Sequence, residues 1–332
     1  MTYLRPIPLY LLAATGLALA QTAAPPAPAR PGAQTPAQPP AEAAPAGEAG
    51  ERIINITYDG GTRNSPDLRY GPYVYAHPDP EGVVAEVSNL TIYTQQGELR
   101  APKGVLIAEA EGEREAGFTG GVRVVQGRLT ATGPALDYSE ATGQGIMPQE
   151  TAIVVTPAEE GDDVTNIAAD TVTFDVDTDT SVSRGNVTLT SGNQDAEAQE
   201  LIFEEERDLA VMRNPDGRVT VRRRNDDGTF LTITADETRV LTGTDVLLST
   251  GNVEIIDGAV TSTGSTVYYD DETSRAEIIG NPARSVDEEF GSTISGGRIE
   301  QRTDTDVVRQ LSDPTPSFDA AQFALTSETA AP

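Results

Sequence analysis

GNVTLTSGNQDAEAQELIFEEERDLAVM, residues 185–212, and GNVEIIDGAVTSTGSTVYYDDETSRAEI, residues 251–278, align without a gap, and GGVRVVQGRLTATGPALDYSEATGQGIM, residues 120–147, follows the same plan. The three copies begin at 120, 185 and 251, so they are 65 and 66 residues apart, a regularity that marks a repeated structural unit. Each opens on a Gly-Gly or Gly-Asn pair between two strand-like runs. A primed two-residue turn needs positive φ at such a place, so the pair reads as a hairpin tip. Val122 and Val124, Val187 and Leu189, and Val253 and Ile255 come next at alternate positions. They share one face of a strand, while the intervening Arg123, Thr188 and Glu254 face the other way. Gly127, Gly192 or Gly258 then supplies a further bend, after which Leu136 and Tyr138, Leu201 and Phe203, and Val267 and Tyr269 recur two apart. Ser139-Glu140, Glu204-Glu205 and Asp270-Asp271 end the apolar run as polar tips. The unit is a meander of short strands presenting one apolar face in every copy. A weaker fourth copy begins near Asn55 and carries Tyr73. The period is too long for the commoner propeller blades and for hexapeptide coils, so the copies are expected to wrap into a long, curved, two-walled sheet.

Outward from the repeats, residues 51–312 show almost no helical period. Short segments rich in Val, Ile, Thr and Tyr alternate with Gly, Asn and Asp, as at 52–58, 83–93, 151–156, 171–176 and 246–248. The chain is all-β. Residues 1–20 read as a secretory signal: Arg5 precedes an apolar run from Ile7 to Leu19, and Ala18-Leu19-Ala20 forms a small-x-small cleavage site before Gln21. The competing reading, an uncleaved anchor, needs roughly 20 apolar residues to span a bilayer, and this run is shorter. Residues 21–50 hold 11 Ala and 8 Pro and form a disordered linker that reaches on the order of 90 Å when extended. Residues 313–332 are a polar Pro/Ala tail in which only Phe318, Phe323 and Leu325 are large and apolar. A disordered end is expected there, with docking of those three residues as the alternative.

Composition removes whole classes of function. With 52 acidic against 23 basic residues the net charge is −29, which argues against nucleic acid as a partner. The absence of Trp removes an indole platform for sugars; the absence of Cys removes disulfides, thiol catalysis, lipoprotein anchoring and thiolate metal sites. One histidine, His77, sits in the Pro-stiffened stretch Tyr75-Ala76-His77-Pro78-Asp79-Pro80 and reads as a loop residue. Asp175-Val176-Asp177-Thr178-Asp179 begins like a calcium loop, but Thr180 stands where Gly is needed and Asn186 where Glu is needed. It reads as an acidic edge instead. Arg222-Arg223-Arg224 is the single basic run; a charged strand edge is favoured over contact with an anionic headgroup. Glu204, Glu205 and Glu206 lie at an expected hairpin tip, without the fixed geometry that acid–base chemistry requires. No catalytic constellation, metal site, cofactor or phosphate-binding Gly-Lys-Ser/Thr loop is present in the pattern.

Gly251-Asn252-Val253-Glu254-Ile255, then Val267-Tyr268-Tyr269-Asp270, then Ala276 through Gly280-Asn281-Pro282, resembles the OstA-like domain of periplasmic lipopolysaccharide-transport proteins, the LptA/LptC type. Gly185-Asn186-Val187 through Phe203 repeats that pattern, as do Ala169-Asp170 and Ala235-Asp236 before each unit. The resemblance is closest over 166–282 and looser over 82–149; the acidic surface and the Pro/Ala linker depart from it. It implies an elongated open β-jellyroll, a V-shaped trough whose apolar interior carries lipid acyl chains, and subunits joined end to end. It further implies a non-enzymatic periplasmic protein that carries lipopolysaccharide or a related envelope lipid toward the outer membrane, partnered by other jellyroll subunits of an envelope bridge or by itself. The expected groove residues are Val122, Val124, Leu136, Tyr138, Val187, Leu189, Leu201, Phe203, Val253, Ile255, Val267 and Tyr269.

Two matters stay open on the residues alone. Alternating apolar positions can line an open trough or fill a closed sandwich core, and the second would fit a structural or adhesive β-repeat spacer. A carbohydrate-active enzyme is disfavoured by the missing Trp. An open repeat sheet also leaves unpaired first and last strands that invite strand addition. Ile54 and Ile56 near one end, and Ile294, Ile299 and Val308 near the other, are the expected assembly positions, against the reading that charge and tails keep the edges monomeric.

Overall fold

The computed structural model describes residues 53–63, 69–70, 73–74, 83–108, 114–225, 228–313 and 315–329, all within the unit Ala44–Pro332. The expected signal and linker segments and His77 lie outside the described residues. The chain runs through β1 (Ile53–Arg63), a small ribbon of β2 (Arg69–Tyr70) and β3 (Tyr73–Val74), then β4 (Val83–Thr94), β5 (Gly97–Ala108), β6 (Arg114–Gln126) and β7 (Leu129–Ser139). Two passes follow, each built from two short strands in line: β8 (Gln144–Met147) with β9 (Thr151–Val155), and β10 (Thr165–Ala169) with β11 (Thr171–Asp175). Next come β12 (Thr180–Ser191) and β13 (Gln194–Glu204) as single long strands. The split form recurs in β14 (Leu209–Arg213) with β15 (Val219–Arg224), and β16 (Phe230–Ala235) with β17 (Glu237–Leu241). The sheet ends on β18 (Val246–Asp257), β19 (Val260–Asp270), β20 (Arg275–Asp287), β21 (Ser292–Arg302) and β22 (Val307–Gln310). Each pass pairs antiparallel with its neighbours in the chain, and one 65-residue repeat is four passes.

The expected hairpin tips are corners inside strands. Gly120-Gly121 lies within β6, Gly185-Asn186 within β12 and Gly251-Asn252 within β18, each at a break in pairing register. All six residues do have positive φ. The tight turns are instead Gly127-Arg128, Gly192-Asn193 and Gly258-Ala259. An unpaired extra residue bends a strand, and the glycines let two successive residues take the left-handed conformation that the bend needs. The Ala-Asp step clamps the corner. Asp170 N donates to Gly185 O at 2.9 Å and Asn186 Nδ2 donates to Asp170 Oδ2 at 2.8 Å; Asp236, Gly251 and Asn252 repeat both bonds at the same lengths. A methyl group on Gly185 would lie 2.5 Å from the Asp170 carboxylate. Gly251→Ala is therefore expected to cost about 1–3 kcal/mol in chemical denaturation, against a few tenths for Asn252→Gly.

At about 3.3 Å per residue, an unbent strand of twelve residues would hold its ends roughly 40 Å apart. Yet Arg128, in the turn after β6, hydrogen-bonds Asp208, in the turn after β13, at 2.8 Å, although these turns cap opposite strand ends. The sheet is therefore folded along its line of corners. One wall holds β8, β11, β14 and β17 with the long-strand halves paired to them; the other holds β9, β10, β15 and β16 with the remaining halves. Between the walls, among the described residues, one continuous apolar cluster runs from Ile53 to Ile299.

The C-terminal tail, expected to be disordered, is docked on the outer face of the first wall. Phe323 and Leu325 are buried against Leu209, Val211 and Leu248, and Phe318 stacks on Tyr268 with ring centroids 4.7 Å apart. Arg207 donates to the carbonyls of Gln322 (2.7 Å) and Ala324, Arg239 to that of Phe323 (2.8 Å), and Thr326 N donates to Glu204 Oε1 at 2.8 Å. The receiving residues face outward because β14, β18 and β19 carry apolar residues at both parities, as strands buried on two faces do.

At the sheet ends, β1 pairs with β4 and β22 with β21. Ile56 and Val308 sit half-buried on these end strands, and Ile294 lies half-buried on the first half of β21; the side chain of Ile54 is outside the described residues. Ile299 is a correction. It pairs with Ile278 on one side and Gln310 on the other, and it is fully buried in the interior.

Candidate binding trough

All twelve sequence-selected groove residues face the space between the walls and belong to its one apolar cluster. Val187, Leu189, Val253 and Ile255 come from one wall and Leu201, Phe203, Val267 and Tyr269 from the other, so each repeat contributes to both sides. None of the twelve is more than 3% exposed. The walls' own side chains thus fill the interior. Sequence reading missed Phe118, Phe174, Met212, Ile233 and Ile278, which line the same space. Period-two alternation in the segments TVTFD and FLTITA was the signal that would have found two of them.

The long opening between the two rows of turns is bridged by polar side chains. Gln126 Nε2 donates to Asp175 O at 3.1 Å. Arg128 bonds Asp208 Oδ1 and the Glu205 carbonyl through its guanidinium, and its backbone N donates to Glu205 Oε1 at 2.5 Å. Arg223 pairs with Asp271, whose Oδ1 also accepts from Tyr269 Oη at 2.8 Å. Farther along, Gln301 Nε2 donates to Asp257 Oδ2 at 3.4 Å and its Oε1 accepts from Ser262 Oγ at 2.7 Å. The basic run therefore divides: Arg223 crosses the opening, whereas Arg222 lies near Glu197 and Arg224 lies over the Phe230 ring. Beyond the Gln301 bridge the walls separate around a cavity of about 580 Å³ whose lining includes Val260, Phe290, Ile294, Val307 and Val308.

Carboxylates crowd this opening. Burial, reinforced by the charges of Asp271, Asp163 and Asp162 and opposed by Arg223, pushes the Asp245 carboxyl up to about 6. Burial also raises Glu205 against the pull of Arg128. A carboxyl with a higher pKa folded than unfolded takes up a proton on folding. Its penalty is absent below about pH 4, grows as the pH climbs to about 6, and is complete above that. Asp245→Asn is expected to stabilise the protein by about 1 kcal/mol at pH 7.5, after allowance for solvent screening, and not at all at pH 3.5. Thermal melts of both proteins at the two pH values check it; equal gains at both would refute the assignment.

Asp175 ends β11, and Asp177 and Asp179 lie in the turn that follows, where Asp177 N donates to Asp175 Oδ1 at 2.9 Å. Among the described residues no group of three or more His, Cys, Asp or Glu side chains is arranged to hold a metal ion. No helix among them is long and apolar enough to cross a membrane.

A corner-folded antiparallel meander enclosing an apolar interior defines the class, an all-β open jellyroll of two walls. Residues 166–307 match the family model described as the LptA/LptD N-terminal domain of LPS transport proteins, so the OstA-like resemblance holds over the repeats that carry it. LptH, described as the LptA-homologous periplasmic component of the conserved lipopolysaccharide transport device of Pseudomonas aeruginosa, is a similar solved structure at 14% identity. That likeness covers 32% of this chain and 75% of LptH with a TM-score of 0.30. No curated protein matches the chain.

Proposed function

We propose that this protein is a non-enzymatic carrier of lipopolysaccharide or a related envelope lipid in the periplasm, and that the lipid's acyl chains lie between the two walls. The observation that supports this reading is the continuity of the apolar cluster through all three repeats. Burying each methylene there contributes about 0.8 kcal/mol, offset by parting side chains that already touch. The open C-terminal end, where Ile294 and Val308 reach the cavity, is the place where a chain meets apolar wall without first breaking a bridge. Other jellyroll subunits are the expected neighbours, joined through β1 and β22. Energy for directed transport comes from a partner.

The packed interior favours a second reading, a spacer with a closed core. Neighbouring isoleucines separate the two: Ile255 is fully buried between the walls and Ile256 is 42% exposed on the outer face. A photo-crosslinker at Ile255 or Phe203 is expected to capture lipid in the native envelope, and one at Ile256 to capture little. Equal capture at both faces, or none at any position, would overturn the carrier reading in favour of the spacer.

A further inference from the structure

Four polar bridges close the long side of the interior in sequence, from Gln126–Asp175 through Arg128–Asp208 and Arg223–Asp271 to Gln301–Asp257. Two of them are ion pairs between partly buried partners: Arg128 and Asp208 are each 25% exposed, and Arg223 and Asp271 are 19% and 12% exposed. Partial burial makes such a pair stronger than a surface one, and breaking it leaves a carboxylate among the others that crowd this rim. The two pairs lie at separate places along the trough, one at the turn after β13 and one at the turn after β19. An apolar chain that parts the packed side chains passes beneath them, along a cluster that is continuous on both sides. A bulky polar head cannot, because it must stay in water and needs the width of the rim that the bridges occupy, whereas a single carboxyl is small enough to pass between them.

Resting on the carrier reading, we infer that Arg128 and Arg223 are gate residues, each a latch that a lipid's bulky polar head must open in order to move along the trough. The latches discriminate by head size and leave the acyl chain untouched. The device is absent from the repeat pattern itself. Arg128 and Arg223 occupy unlike positions in the chain, one in a tight turn and one in β15, and each finds its acid on the opposite wall.

The cysteine-free chain makes the test direct. In the full chain, Arg128→Cys, Asp208→Cys, Arg223→Cys and Asp271→Cys are combined, and a reducible bis-thiosulfonate spans each pair, with mass spectrometry confirming two intramolecular links. A photo-crosslinker replaces Leu247, on β18 between the two latches. The guests are myristic acid and a sucrose ester of the same acid, alike in chain and unlike in head. With the links open, both guests are captured, the ester about tenfold faster than by the protein retaining the arginine latches, the size of one charge-assisted hydrogen bond. With the links closed, ester capture falls at least as far while myristic acid is unaffected, and reduction restores the ester. Ester capture indifferent to the links, or myristic acid capture without any ester capture, refutes the gate and leaves the carrier reading standing. Failure of both guests to label the open protein refutes both.

Discussion

Phe203→Ala is expected to destabilise the protein by about 3–5 kcal/mol, the cost of emptying a fully buried aromatic site whose surroundings relax only in part. Phe203 has no exposed surface, and it sits on the half of β13 that pairs with both β12 and β14, so neighbouring strands hold the cavity open. The carrier reading adds a second expectation. A cavity lined by the trough's own residues should accept an acyl chain, so myristic acid should restore part of the loss, about 2.7 kcal/mol at a hundredfold excess over Kd. Phe230→Ala serves as the comparison. Phe230 lies on the outer face at 43% exposure beneath the Arg224 guanidinium, and its loss should cost at most about 1 kcal/mol and show no rescue. Urea denaturation of the two variants with and without the fatty acid checks both statements; matching behaviour of the two would remove Phe203 from the interior.

Arg298→Ala should lose a comparable 3–5 kcal/mol for an electrostatic reason. Glu277 is fully buried, and Arg298 holds it bidentately, Nε to Oε1 at 2.7 Å and Nη2 to Oε2 at 2.8 Å. Burial pushes the Glu277 carboxyl up, but the bonds from Arg298 and Ser317 outweigh it and hold the group below its ordinary range. Without the guanidinium that charge is left with Ser317 and the more distant Arg275, at 3.4 Å. Replacing both partners, Glu277→Gln with Arg298→Met, should recover most of the stability, because no uncompensated charge then remains. Arg298 also donates to the Asp313 carbonyl at 3.0 Å, so the single variant should loosen the docked tail. Hydrogen exchange over 315–329 should rise in Arg298→Ala and in the double variant alike, since both lack the bond to the Asp313 carbonyl.

The inward-facing positions were legible in the sequence because a strand's side chains alternate strictly, so one buried face is written as a period of two. Val187 and Leu189, or Val267 and Tyr269, needed no knowledge of the other wall. The glycine pairs were legible only as backbone conformation. Positive φ serves a hairpin tip and a mid-strand corner equally well, and what separates them is whether the chain beyond keeps the same pairing partner, a long-range fact. Asp170 and Asp236 could be seen to recur, yet their reason, the bond to the corner asparagine, appears only when two strands lie side by side.

What the sequence determined by itself was therefore the all-β class, the repeat, the inward face of each strand and the exclusion of thiolate and multi-histidine sites, since these follow from residue type and local spacing. Tertiary structure alone decided that the interior is filled, that the tail lies on the outer wall beneath Arg207 and Arg239, and that Arg128 and Arg223 cross the opening to Asp208 and Asp271. Each of these joins groups separated by tens of residues, and each depends on how sharply the sheet folds at its corners, which brings opposite strand ends within hydrogen-bonding reach.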